Sequence, residues 1–500
     1  MSYNMETGAP ESVISLPMSK RVINCDINED VTIPEGYPDV RRVLALRENL
    51  LSPSKFIGAR SVDISGAIDY VILYSGVDGK IYGVPFSAEY GCSMPLENAE
   101  RLDIGESASV ICSLLSDGSS VRISSPRRLQ IRGSVRCDVS CFGRSTLCED
   151  LRGENESEAL YRRQEDATCA FLRCESSDVV MLSDEYMIGP DARIIYSSGE
   201  VIVSDVRVDG EVVRISGEAI IRLLVEEDGR IERVARRLPF DAESDLDELE
   251  LYEGDIFCRA TGSVNEIDVS VEDGRASIEA GVVLEVCVAQ NAGVSLVKDI
   301  FSTKQTCSAE YKKIALPVLL FNKNSSITQS ERMPISDIGL PEDAEIIDVF
   351  GNAECEECSL EKGRYTLRGK TKYKMIYRCD GELCACDLTI PFKQESDGGE
   401  LCVKGYNASV CVSNPRARSD RENLLIESEL SISAIAYGES EVDILSSASF
   451  GEDIKQEKNQ FIVCFASSSE SAFDLAKRYC VPLEQISERF DNGNFVVIEK

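Results

Sequence analysis

The residues best spaced for chemistry are five cysteines in the last third of the chain. Cys355-Glu-Glu-Cys358 has the spacing of a metal clip, and Cys379, Cys384 and Cys386 follow shortly after. Paired across neighbouring strands, Cys355, Cys358, Cys384 and Cys386 would supply the four sulfurs of a tetrahedral zinc site. The competing reading is packing. A strand puts Cys384 and Cys386 on one face, and a second clip of ligand spacing is missing. Packing is the expectation, and no metal or cofactor is assigned. A redox role for Cys355 and Cys358 ranks lower, because flanking glutamates raise a thiol pKa and suppress the thiolate.

The 500-residue chain has no His and no Trp. A Ser-His-Asp triad, a Cys-His pair and a His-ligated metal are therefore excluded within it. It has no phosphate loop. The acidic run Asp241-Ala-Glu-Ser-Asp-Leu-Asp-Glu-Leu-Glu250 lacks the glycine and spacing of an EF-hand and reads as a solvated loop. A non-catalytic protein is the expectation. Lys and Arg number 53 against 87 Asp and Glu, a net charge of −34 spread along the chain, which opposes binding to nucleic acid. Met1 to Ser15 are polar and acidic, with no apolar core behind a basic start, and no apolar run reaches the ~18 residues of a membrane span. A cytosolic protein without a transmembrane segment is expected. In that compartment the 20 cysteines should be reduced, and Cys137, Cys141, Cys287 and Cys411 read as small hydrophobes.

The elements around these residues repeat. Asp39-Val40, Asp191-Ala192 and Asp343-Ala344 are spaced by one period of 152 residues. Each is followed by a glycine that opens an alternating strand (Gly66, Gly217, Gly369), an Asp-Gly turn (Asp78-Gly79, Asp228-Gly229, Asp380-Gly381) and a Pro-Phe pair (Pro85-Phe86, Pro239-Phe240, Pro391-Phe392). Four landmarks in one order imply three versions of one domain. The strands are rich in β-branched and aromatic residues, and Asp-Gly is a strong hairpin signal. Asp117-Gly118, Asp209-Gly210 and Asp273-Gly274 suggest further hairpins, and Ser277–Val288 and Leu424–Tyr437 further strands. Val40–Leu44 suits either a short helix or a strand. Residues 144–168, 303–312 and 452–459 read as linkers. The fold class is mainly β: repeats over residues 1–145, 158–303 and 310–453, then a small module over 459–500.

The module reads as strand Phe461–Phe465, helix Glu470–Tyr479 with Ser469 or Ser471 as cap, helix Leu483–Phe490 behind Pro482, and strand Phe495–Ile498. The segment Phe473-Asp474-Leu475-Ala476-Lys477-Arg478-Tyr479-Cys480-Val481 resembles the first helix of a LysM module and its exit, and Leu483-Glu484-Gln485-Ile486 resembles the second helix. Two positions depart from glycan-binding members. Ser469-Glu470-Ser471 stands where they carry Gly-Asp-Thr, and Phe490 stands where an Asn ends the second helix.

The three repeats resemble the SPOCS domain, a β-rich domain of spore-envelope proteins in endospore-forming Firmicutes. The Pro-Asp opening, the glycine-led strand and the Pro-Phe exit carry that resemblance. SPOCS repeats followed by LysM are similar to the clostridial coat-morphogenesis family. The resemblance implies a non-catalytic scaffold at the forespore surface, in the mother-cell cytoplasm, whose LysM module docks a coat-base morphogenetic ATPase and joins other spore-envelope proteins. The expected partner face is Ser469, Glu470, Ser471, Phe473, Phe490 and Asp491. Self-association of the repeats is a further expectation. The alternative is a peptidoglycan-binding protein acting through its LysM module.

Overall fold

The computed structural model describes residues 13–96, 109–146, 159–210, 212–245, 254–420, 422–454, 461–465, 470–490 and 495–499. Within these the chain is mainly β, arranged as seven separate antiparallel sheets. The first strands are β1 (Val13–Thr32), β2 (Val40–Leu50), β3 (Ser54–Ile57), β4 (Ser61–Gly76), β5 (Ile81–Pro95), β6 (Ser109–Ser125) and β7 (Arg128–Thr146). Next come β8 (Leu160–Met187), β9 (Arg193–Asp209), β10 (Val212–Glu227), β11 (Arg230–Asp245), β12 (Gly254–Glu272) and β13 (Arg275–Ser302). Then follow β14 (Gln305–Pro334), the one-turn α1 (Ile335–Ile338), β15 (Glu345–Glu361), β16 (Arg364–Cys379), β17 (Glu382–Ser396), β18 (Gly405–Ser419) and β19 (Asn423–Asp453). The chain ends in β20 (Phe461–Phe465), α2 (Ala472–Tyr479), α3 (Leu483–Phe490) and β21 (Phe495–Glu499).

Two strand patterns recur. A meander gives β9-β10-β11, β15-β16-β17, and β2 with β3 beside β4 and β5. The remaining strands give β1-β7-β6, β8-β13-β12 and β14-β19-β18, in which the first strand returns to pair with the last. Each meander faces one such sheet across an apolar core. One core holds Val62, Ile68, Tyr70, Val135 and Val139; the second Val213, Ile221, Ile278 and Leu284; the third Tyr373, Met375, Leu424 and Ile432.

The meanders also meet one another. β5 packs beside β9, β11 beside β15, and β17 beside β2, which closes a ring. Its apolar centre contains Leu73, Leu224 and Ile376 from the three middle strands, with Ile81, Ile195 and Leu383 around them. Arg193 donates to the Ile81 carbonyl (2.8 Å), and Arg41 pairs with Glu382 (2.8 Å), across two of the three junctions.

Local chemistry explains the meanders. Asp228-Gly229 and Asp380-Gly381 hold φ of 49° and 75°, and 49° and 76°, the left-handed pair that a two-residue I′ hairpin needs. The strand glycines make room for aromatic rings and, at Gly217 and Gly369, for the carbonyls of Ile202 and Glu354 on the neighbouring strand. A Cβ on Gly217 would lie 2.7 Å from Phe240 Cζ, one on Gly369 2.5 Å from Phe392 Cζ, and one on Gly66 2.6 Å from the Tyr90 oxygen. Tyr90 therefore stands opposite the first glycine, where Phe240 and Phe392 stand opposite the others. The first Pro-Phe pair is out of step: Pro85 and Phe86 face Val71 and Tyr70, four residues nearer the turn.

Other expectations are corrected. Asp117-Gly118 is not a hairpin turn; it lies inside β6 at a register shift, and β6 turns into β7 at Pro126-Arg127. Val40–Leu44 is strand, inside β2. The polar stretch 303–312 is mostly β14, and residues 160–168 already belong to β8. Polar residues there lie on the exposed face of paired strands, β14 with β19 and β8 with β13, so polarity marks one exposed sheet face and not a linker. Ser277–Val288 and Leu424–Tyr437 are strands, but parts of the longer β13 and β19.

Candidate functional site

The expected partner face lies on residues 461–499, and α2 is built by local rules. The Ser471 hydroxyl accepts from the Asp474 N–H (3.3 Å), and the Asp474 carboxylate accepts from the Ser471 N–H (2.9 Å), a capping box. At the other end Cys480 takes a left-handed conformation, φ 50°, with its N–H turned back onto the helix carbonyls. Glu470 pairs with Arg478. Ser469 and Asp491 lie outside the described residues, as does the side chain of Phe490, which ends α3.

Phe473 faces inward. It is fully buried and meets Phe301 of β13 edge to face, with ring centroids 5.0 Å apart. Phe301 in turn stacks on Tyr161 of β8 (5.0 Å). Leu475, Val481, Leu483 and Ile486 complete this core. Polar contacts ring it. Lys477 Nζ donates to Asp299 Oδ1 (2.5 Å), Arg163 to Asp474 Oδ1 (2.9 Å), and the Tyr161 hydroxyl to Glu484 Oε2 (3.0 Å). The Tyr311 hydroxyl also donates to Asp299 (2.7 Å). Phe473 and Ser471 thus serve the seat and the cap of the module in this arrangement. Sequence spacing could not show the seat, because Phe301, Asp299 and Tyr161 lie far away along the chain.

The seat is at the end of a double arm. The β8–β13 ladder runs from the last β12 pair, Gly254 opposite Ala292, on to Ser302 opposite Leu160. At ~3.3 Å per residue that extension is roughly 30 Å long. The matching extension of β14–β19 packs against it through Leu296, Leu316 and Ile444, and farther out through Ile300 and Leu445.

The cysteines chosen from spacing do not converge. Cys355 and Cys358 are on β15, Cys384 and Cys386 on β17, with β16 between them. Cys355 lies opposite Gly369, whereas Cys384 lies opposite Tyr377, eight residues along the same strand. That offset is roughly 26 Å along the sheet, so one zinc cannot bridge both pairs. Burial pushes the Cys355 thiol up to about 12 and Cys358 up to about 11, against thiolate chemistry. Cys379 donates to Asp343. A different group gathers instead: the sulfurs of Cys25, Cys92 and Cys137 lie within 4.8 Å of one another. These three are scattered through the sequence on β1, β5 and β7, and only the pairing of the two sheets unites them.

A charged cluster also fills the junction of the three meanders. Arg47 of β2 lies beside Glu200 of β9 (3.7 Å), and Arg222 of β10 pairs with the same carboxylate (2.8 Å). Asp348 of β15 accepts from the Tyr196 hydroxyl and lies 3.7 Å from Arg233. The Arg47 guanidinium covers the Phe350 ring at 4.5 Å. Burial raises the Glu200 carboxyl despite Arg222 and Arg47. Burial and the neighbouring Asp348 raise Tyr196, so its hydroxyl keeps its proton. The cluster is largely buried and joins the three meanders. No protein family, curated protein or solved structure matches the chain.

Proposed function

We propose that this chain is a non-catalytic scaffold of the endospore envelope, built from three SPOCS-like units and a LysM-like module. In this reading the units over residues 1–145, 158–303 and 310–453 form a rigid ring, and residues 459–500 dock a coat-base ATPase at the forespore surface. The observation that carries it is the position of α2 and α3. They sit on Phe301 and Asp299, at the outer end of a paired arm, away from the ring. Such a place suits an adaptor that must be reached by a large partner. The recurrence of one strand order in the sheets supports the repeat reading. No helix among the described residues is long and apolar enough to cross a membrane.

The departures at Ser469-Glu470-Ser471 and Phe490 favour a protein over a glycan as the ligand of the module. Localisation in sporulating cells tests the reading. The full chain should gather at the forespore surface, and a chain ending at residue 453 should remain diffuse. Equal gathering of both would remove the module from the account.

A further inference from the structure

The thiol group in the first pair of sheets has the composition of a metal site. Cys25 of β1 and Cys137 of β7 place their sulfurs 3.9 Å apart. Cys92 of β5 reaches them from the opposite sheet, with all three sulfurs mutually within 4.8 Å. Cys112 of β6 lies beside Cys137 on its other side. Tetrahedral zinc with Zn–S of about 2.3 Å needs sulfurs about 3.8 Å apart, so the observed spacing needs little adjustment.

A second observation points into the same place. The Tyr90 hydroxyl is buried with no hydrogen-bond partner. The thiols of Cys137, Cys112, Cys25 and Cys92 lie close enough to act on it electrostatically. An orphaned buried hydroxyl costs stability unless something accepts its proton, and a metal-bound thiolate is a strong acceptor. At the matching positions of the other two meanders stand Phe240 and Phe392, which carry no hydroxyl. The hydroxyl thus occurs in the unit that gathers the four cysteines.

We propose that Cys25, Cys92 and Cys137 bind one Zn²⁺ between the two sheets, with Cys112 turning in as the fourth ligand and Tyr90 donating to a bound sulfur. Each cysteine gives up its thiol proton to solvent as its Zn–S bond forms. Four protein thiolates would fill the tetrahedron, so the ion staples β1, β5, β6 and β7 together and activates no water. Tyr90 is a positioning residue: it holds a ligand and does not touch the metal.

The test uses the full chain, produced with zinc in the medium and purified under reducing conditions. Elemental analysis should find about one zinc per chain. C92S and C137S should lose it, and C355S should keep it. Cobalt replacement should give sulfur-to-cobalt charge-transfer absorption of a four-thiolate site, falling to three in C112S. Y90F should keep the geometry but bind metal about 10- to 100-fold more weakly. If C137S fails to fold, alkylation of the wild type decides. A chelator should expose Cys25, Cys92, Cys112 and Cys137 together, while Cys141 and Cys169 stay protected. A metal-free wild type with no cobalt absorption would overturn the proposal. So would zinc retained in both C92S and C137S, or a Cys25–Cys137 disulfide in the reduced preparation.

Discussion

The Tyr196 hydroxyl donates to the Asp348 carboxylate, and the two residues are 152 positions apart, one period of the sequence landmarks. Matching positions in two meanders thus bond directly to each other at the centre of the ring. One position has become a phenol, the other a carboxylate, and Leu44 holds the first. An apolar residue, a donor and an acceptor distinguish three otherwise similar neighbours. Such a buried polar group suits fixing the order of the meanders more than adding raw stability.

Removing the acceptor should therefore be costly. Asp348 is almost wholly buried and faces both Tyr196 and Arg233. D348A is expected to cost about 3–5 kcal/mol, the usual range when one partner of a buried charged pair is lost. Y196F should cost less, about 1–3 kcal/mol, for an acceptor left unpaired. Denaturant melts measure both, and losses below ~1 kcal/mol for the pair would show that the contact is incidental.

The strand glycines should resist the smallest possible change. G217A puts a methyl group against the Ile202 carbonyl oxygen and 2.7 Å from Phe240 Cζ. Overpacking of this kind typically costs about 1–3 kcal/mol. The double variant with Phe240→Leu should recover part of the loss in thermal melts. A neutral G217A would mean that neither the Ile202 carbonyl nor the Phe240 ring crowds the glycine.

The seat of α2 should depend on pH at both extremes. Burial alone raises the Asp299 carboxyl, but bonds from Lys477, Tyr311 and the Ile300 N–H outweigh it, leaving it below the ordinary 3.8. A depressed carboxyl stabilises the fold above its unfolded value, and that contribution is lost as pH falls through the folded value. Burial lowers Lys477, but its bonds to Asp299 and Tyr311 raise it above the ordinary 10.5, so its contribution is lost as pH rises through that raised value. Hydrogen exchange of the α2 amides should accelerate below about pH 4, and D299N should remove that acid step. An unchanged acid step in D299N would assign it elsewhere.

Cys480 occupies a left-handed helix exit, where glycine carries no Cβ penalty. C480G should stabilise the C-terminal module by about 0.5–1 kcal/mol, the relieved cost of a left-handed side chain less the added chain entropy of glycine. Amide exchange in α2 and α3 reads this out; a loss of protection would show that the Cys480 side chain packs productively.

Local signals were legible in the sequence, and distant ones were not. Asp-Gly turns at 228 and 380, the two helices, and the β-rich class all follow from short-range chemistry. The cap was legible only as Ser469 or Ser471, and Ser471 fills it. The Asp117-Gly118 turn failed because a glycine with positive φ serves a bulge as well as a turn. Pro85-Phe86 copied a landmark in letters but not in register, since Tyr90 had taken over the ring above Gly66. The burial of Phe473 on Phe301 and the meeting of Cys25, Cys92 and Cys137 depend on sheet pairing and docking, which leave no spacing in the chain.

The scaffold account stands most directly on what the C-terminal module binds. Purified full chain, the chain ending at residue 453, and F490A should be titrated separately with the purified coat-base ATPase and with purified peptidoglycan. The full chain should bind the ATPase, and the truncated chain should remain folded but lose that binding. F490A should be weaker by about 1–3 kcal/mol, as for an interface anchor, with unchanged circular dichroism, and none of the three should sediment with peptidoglycan. Tight sedimentation with peptidoglycan, lost on truncation at 453, together with no binding to the ATPase, would contradict the account.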